Sequence, residues 1–151
     1  MPAAEPVVVD ASVAVKWFFA MPEHPDDDAK AVALLGSTVA GGHRLIQPPH
    51  WQAEVVAVLA RLQPDSALDN AADLLRLACI EVDGSAAVWL RATRLAVALR
   101  HHLFDTLYHA VALESAAATL VTADERYWRK ARRAGRIVRL AEFGMAHGDE
   151  R

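Results

Sequence analysis

The 151-residue sequence holds a single cysteine, Cys79. One thiol cannot close an internal disulfide or build a cysteine-rich zinc site, so a stapled secreted scaffold and a zinc ribbon are both excluded. Long uninterrupted apolar runs are missing as well. The longest early one, Val7 to Met21, is broken by Asp10 and Lys16 and has no basic segment before it. It matches neither a signal peptide nor a membrane span, so the expected location is cytoplasmic. Excess positive charge is absent too: 16 Lys and Arg stand against 19 Asp and Glu, a formal net charge of −3. Binding to nucleic acid therefore needs a local basic patch. Neither G-x-x-x-x-G-K-[ST] nor G-x-G-x-x-G occurs, which argues against a nucleotide-binding enzyme. Asp10-Ala11-Ser12 lacks the second aspartate of an aspartyl-phosphate phosphatase. There is no internal repeat and no linker.

What is present is a foldable chain. Hydrophobic residues make up 54% and charged residues 23%, which excludes disorder, and 31 alanines favour close-packed helices. The length is that of one domain, expected over residues 1–146, with 147–151 as a disordered tail. Short apolar runs at Val7–Val9, Arg44–Gln47, Ile80–Val82, Thr119–Thr122 and Ile137–Val138 read as strands. Between them, helical patterns cover Ala11–Ala20, Ala29–Val39, His50–Leu62, Ser66 to about Ala78, Ser85 to about Arg100, Phe104–Ala118 and Asp124–Ala134. Pro22–Asp28 reads as a loop. Strands separated by helices predict an α/β domain with a mostly parallel sheet of four to five strands.

In such sheets ligands bind beyond the carboxyl ends of the strands. Asp10 and Asp124 fall at or just past two of those ends, although each position also suits a helix cap. Thr122 and Glu125 have capping-box spacing, and Ser12 is a second candidate cap for its helix. Glu54 lies about 70° from the centre of the stripe Trp51, Val55, Val58, Leu59, Leu62, beside the core face. It is either an ion-pair partner or a functional acid. Asp105 sits in a run apolar on nearly every side, where a bare carboxylate costs several kcal/mol. It is either a first-turn residue favoured by the helix dipole or a partnered acid. Together, four acids without a zinc-type His or Cys set suit Mg²⁺ or Mn²⁺. His101 and His102 are adjacent, cannot share a helix face as zinc ligands, and read as surface residues. Seven of the basic residues crowd between Arg126 and Arg139, and Arg91, Arg94 and Arg100 form another group. These either hold RNA phosphates, with Tyr127 and Trp128 for stacking, or form a solvated or partner-binding face.

Four segments carry a family resemblance. Val7-Val8-Val9-Asp10-Ala11-Ser12 through Phe18, Pro48 to Leu59 around Glu54, Leu103-Phe104-Asp105-Thr106 through Glu114, and Leu120-Val121-Thr122-Ala123-Asp124 through Tyr127 resemble, in order, the four motifs of PIN-domain ribonucleases. The likeness is greatest to VapC-type toxins of type II (VapBC) toxin–antitoxin pairs. It implies a three-layer α/β/α sandwich and a metal-dependent endoribonuclease that uses Mg²⁺, with Mn²⁺ able to substitute. It carries the family's metal-binding catalytic acids onto Asp10, Glu54, Asp105 and Asp124, with Ser12 and Thr122 as supporting polar residues. It further implies an RNA substrate, a small VapB-type antitoxin and a homodimer, with no membrane association. The alternatives are a PIN nuclease of RNA maturation or decay without an antitoxin, and a non-catalytic binding module on the same fold.

Overall fold

The computed structural model describes residues 3–20 and 22–144; the expected tail, 147–151, lies outside the described residues. Five strands run β1 (Glu5–Val9), β2 (His43–Gln47), β3 (Ile80–Val82), β4 (Thr119–Thr122) and β5 (Ile137–Arg139). All pair in parallel, in the spatial order β3-β2-β1-β4-β5. The expected α/β sandwich is therefore present, and its sheet is parallel throughout. Val7, Val8 and Val9 are all wholly buried. A continuous β-branched run is what a strand covered on both faces needs, and each such side chain contributes about 1.5–3 kcal/mol.

The helices are α1 (Ala11–Ala14), α2 (Pro25–Val39), α3 (Trp51–Leu62), α4 (Ala67–Leu75), α5 (Ala86–Leu99), α6 (Leu103–Glu114) and α7 (Glu125–Ala131). Several bounds differ from the sequence expectation for identifiable reasons. The first helix tightens into a 3₁₀ turn over Val15–Trp17 instead of continuing to Ala20. The Pro22–Asp28 loop is helical from Pro25 onward, because proline at the first helical position and Asp26, Asp27 and Asp28 in the first turn all favour an N-terminus. Lys16, buried to 7% exposure, reaches Asp28 at 3.3 Å and ties that turn to α1. Ser66 makes no side-chain cap, and α4 stops at Leu75. Ser85 does cap α5, accepting from the Val88 amide at 3.4 Å. Helix α6 ends at Glu114, four residues early, and Ala117 just beyond takes φ 62°. Helix α7 ends at Ala131 and passes into a 3₁₀ turn over Arg132–Ala134. No helix among the described residues is long and apolar enough to cross a membrane.

The strand order decides where a site can form. From β1 the chain builds outward through β2 and β3 on one side, then returns to lay β4 and β5 on the other. The crevice of such a sheet opens where the order reverses, between the carboxyl ends of β1 and β4. At that edge the end of β1 is completed by a side chain. Gln47, fully buried, accepts from the Val9 amide through Oε1 at 2.9 Å and donates to the Val9 carbonyl through Nε2 at 2.7 Å. The amide thus stands in for a further rung of the β1–β2 ladder, directly before Asp10. Removing it with Gln47→Ala leaves both Val9 groups buried and unpaired. The expected loss is about 3 kcal/mol, measured as a fall in melting temperature of roughly 6–12 °C.

Candidate functional site

Asp10 follows β1 and precedes α1, in extended backbone geometry (φ −80°, ψ 175°). It occupies the helix-cap position, yet its side chain caps nothing. Its two oxygens instead accept hydroxyl protons from Ser12, by a short bond, and from Thr122 at 2.5 Å. Each hydroxyl is itself held by a backbone amide from the β4–α7 junction. Ala123 donates to Ser12 Oγ at 3.0 Å, and Asp124 donates to Thr122 Oγ1 at 3.0 Å. The carboxyl is only 7% exposed. Burial pushes its pKa up to about 7, against the Ser12 and Thr122 hydrogen bonds, and the charges of Asp105 and Asp124 push the same way as burial.

Thr122 is therefore not the helix cap that its spacing with Glu125 permits. Asp124 is the cap of α7, its Oδ1 accepting from the Tyr127 amide at 3.0 Å. The cap uses one of its two oxygens, and the side chain still borders the cavity that holds Asp10. Capping and facing a site are compatible roles for one carboxylate.

Glu54 and Asp105 each have a histidine four residues before them, His50 at the cap position of α3 and His101 just ahead of the cap of α6, and both imidazoles fold onto their carboxylates. His101 Nε2 lies 2.6 Å from Asp105 Oδ2. His101 is half-buried, with its side chain only 6% exposed, and is not the surface residue expected from the adjacent pair. The ring of Tyr127 packs on it, centroids 4.9 Å apart. His50 Nε2 donates to the Phe104 carbonyl at 2.9 Å and lies 3.3 Å from Glu54 Oε2. That oxygen of Glu54 is buried without a hydrogen bond. Asp105 is 30% exposed and Phe104 beside it 61%, so the start of α6 is open, unlike its all-buried stretch from Thr106 to Ala112. Burial raises the Asp105 pKa, His101 opposes the shift, and Glu54 adds repulsion. The Tyr108 and Tyr127 phenols, buried beside these acids, are held protonated.

Asp10, Glu54, Asp105 and Asp124 thus border one cavity of about 220 Å³, with Ala11, Ser12, Val15 and Val58 completing its wall. No lysine or arginine lines it. Among the described residues no three Asp, Glu, His or Cys side chains close on a single ion as they stand. The donor set still fits a hard divalent cation. All four are oxygen donors, Glu54 keeps a buried oxygen without a hydrogen bond, and no lysine or arginine lies in the lining to neutralise them. Mg²⁺ commonly takes only one or two carboxylates and keeps several waters. His50, His101, Tyr108 and Gln47 were not singled out as site residues from sequence. The two i, i+4 His–acid pairs were the available signal for the histidines.

The buried Asp10 generates a pH dependence. Its carboxyl binds a proton in the folded chain up to about pH 7 but, once unfolded, only up to its ordinary value of 3.8. Folded chains then hold more protons, so stability falls as pH rises through that window. Asp105 acts in the same sense, whereas His109, its pKa lowered by burial, acts in the opposite one. Asp10→Asn isolates the first effect, since asparagine mimics the neutral acid. In EDTA the variant should match wild type near pH 4 and exceed it by on the order of 3 kcal/mol at pH 8. Urea denaturation at the two pH values measures this, and a difference that does not change with pH would contradict the burial argument.

Comparison with known proteins follows the same architecture. The family model described as PIN domain matches residues 7–133. A search of curated proteins gives no match. Among solved structures, VapC20 of Mycobacterium tuberculosis, described as a sarcin–ricin loop cleaving toxin, superposes with a TM-score of 0.59 at 16% identity, covering 78% of this chain and 87% of that one. VapBC2 from Rickettsia felis, bound to a DNA fragment from their promoter, gives 0.60 at 18% identity, covering 89% of this chain and 98% of that one. At such identities the structures establish a shared fold. With its match over most of the chain and its parallel sheet opening beside Asp10, the protein belongs to the PIN-domain family.

Proposed function

We propose that this chain is a VapC-type toxin, a Mg²⁺-dependent endoribonuclease of a type II toxin–antitoxin pair acting in the cytoplasm. The observation that carries the reading is the cavity at the sheet's switch point, walled by Asp10, Glu54, Asp105 and Asp124 and by no cation. The likeness to VapC20 supports RNA as the substrate, and the VapBC2 complex supports a small VapB-type antitoxin as partner. Apolar side chains left open on α4 and α5, including Leu68 at 83% and Val97 at 75% exposure, supply surface for that partner and for a homodimer.

The four acids hold the cation, for which Mn²⁺ substitutes. When bound, it supplies Lewis-acid charge against a phosphate oxygen and lowers the pKa of a water. Ser12 and Thr122 fix the Asp10 carboxylate by donating to both of its oxygens. His101 fixes Asp105 through Oδ2, and the α7 cap fixes Asp124 through Oδ1. Val15 and Val58 give the cavity an apolar wall that narrows access for bulk water. The tyrosine phenols stay protonated and add no charge.

Attack by water, and not by the ribose 2′-hydroxyl, leaves a 5′-phosphate and a 3′-hydroxyl. End-group analysis of RNA cut by the purified protein should show those termini, and EDTA should abolish cutting. Products with 2′,3′-cyclic phosphate ends would overturn the mechanism. Asp10→Asn should lower the rate roughly 100-fold or more while remaining folded. Millimolar Mn²⁺ should raise the wild-type melting temperature by several degrees, since a ligand at 100 times its Kd adds about 2.7 kcal/mol, and should leave Asp10→Asn nearly unmoved. Induced without its antitoxin, the wild type should arrest growth and the variant should not.

A further inference from the structure

Beside the acidic cavity lies a second depression of about 320 Å³, lined by Ala96, Arg100, His101, His102, Arg126 and Lys130. No acid lines it. The His101 side chain lines this depression and contacts Asp105, which lines the acidic one. Its Nδ1 lies 3.3 Å from Lys130 Nζ, and its Nε2 lies 2.6 Å from Asp105 Oδ2. An ammonium group only donates, so Nδ1 accepts there and Nε2 carries the proton that is given to Asp105. Lys130 also donates to the Arg100 carbonyl at 3.4 Å. A hydrogen-bonded line thus runs from the basic depression through one imidazole into the acidic one.

The remaining cations of this depression are uncommitted. Among the described residues neither the Arg100 nor the Arg126 side chain has a hydrogen-bond or ion-pair partner. Nearby arginines differ: Arg91 pairs with Glu114 at 2.7 Å, and Arg129 with Glu125 at 3.3 Å. Arg126 and Lys130 stand four residues apart on α7, hence on one face. Arg100 closes α5 in the left-handed region, φ 50°, where glycine fits with less strain. That conformation carries a third cation to a cavity already lined by Arg126 and Lys130, which a glycine would not supply.

We propose that this pocket is a phosphate subsite: it takes the backbone phosphate of a nucleotide neighbouring the one held at the acidic cavity, in a single-stranded polynucleotide. The proposal rests on the nuclease reading above. A strand approaching four carboxylates on a chain of net charge −3 meets repulsion that a local cationic contact helps to offset. Planar guanidinium groups match two phosphate oxygens at once, and Lys130 adds a point charge beside them. Acidic side chains of a protein partner share some of this chemistry. The nearness of the two depressions, separated by the His101 imidazole, favours a strand that spans both.

The test is fluorescence anisotropy of a single-stranded RNA decamer on the full chain in EDTA, where cutting is blocked. Arg100→Gly combined with Arg126→Ala should weaken binding about 10-fold or more and reduce the slope of log K against log salt by about 1–2. Arg91→Ala, whose arginine is already paired, should bind like wild type. Arg100→Gly alone should melt no lower than wild type, which separates lost contact from lost folding. Inorganic phosphate should compete with RNA for the wild type only at far higher concentration than a second oligonucleotide, as expected for a subsite along a strand. RNA affinity of the double variant within twofold of wild type overturns the proposal. Loss of hexaglutamate binding with RNA binding intact would assign the pocket to an acidic protein partner and also overturn it. With Mn²⁺ present, the double variant should raise KM with kcat little changed. Failure of the wild type to cut RNA would remove the nuclease reading, and the EDTA binding arm would still report on the pocket by itself.

Discussion

Burying the Asp10 carboxylate within reach of Asp105 and Asp124 is the constraint on which the rest of the molecule turns. Two hydroxyl bonds offset the desolvation only in part, and the pKa near 7 is the measure of what they leave. The position is imposed by topology. A parallel sheet whose strand order reverses between β1 and β4 brings the residues after both strands to one crevice. Acids at those junctions cannot avoid one another. A protein built this way is strained when its acids are all ionised and relaxed by a proton or a divalent cation.

Around this strained centre each acid is held differently, and every support comes from a neighbouring element. Asp10 is held by hydroxyls from its own helix and from β4, and those hydroxyls are aligned by the amides of Ala123 and Asp124. Asp124 is held by the start of α7 and Asp105 by His101. Glu54 keeps a buried oxygen without a hydrogen bond, 3.3 Å from His50 Nε2. Three of the four acids are thus fixed by hydrogen bonds and the fourth only by this contact.

Behind the site, buried polar groups are satisfied by side chains reaching between layers. Gln47 finishes the β1 edge, Thr106 donates to the Ala92 carbonyl at 2.9 Å and ties α6 to α5, and His109 bridges the Tyr127 hydroxyl at 2.9 Å and the Gly135 carbonyl at 2.7 Å. The last of these bridges links α6 to α7 and to the turn before β5. Tyr127 in turn packs on His101. The imidazole between the acidic and basic depressions is therefore anchored in the core, so the distance between them is a property of the fold.

The strands and the order of elements were legible in the sequence because their signals are local, whereas local signals left each of the four acids open and only the likeness of four segments to PIN-domain motifs grouped them. A β-branched run, a 3.6-residue stripe and an acid after a strand each depend on a few neighbouring residues. Where the local reading failed, a partner distant in the chain decided. Thr122 has the spacing of a cap, but a carboxyl 112 residues away accepts its hydrogen bond. His101 looked like half of an exposed pair, but α7 covers it with Tyr127 and Lys130. Gln47 does end a strand as its pattern predicts, and the β1 backbone 38 residues away decides that its amide turns inward. Sequence alone determined which residues carry charge and which elements carry those residues. Tertiary structure alone decided which charges share a cavity and which face an imidazole, because strand order, invisible to any local pattern, sets the distances over which Coulomb forces and hydrogen bonds act.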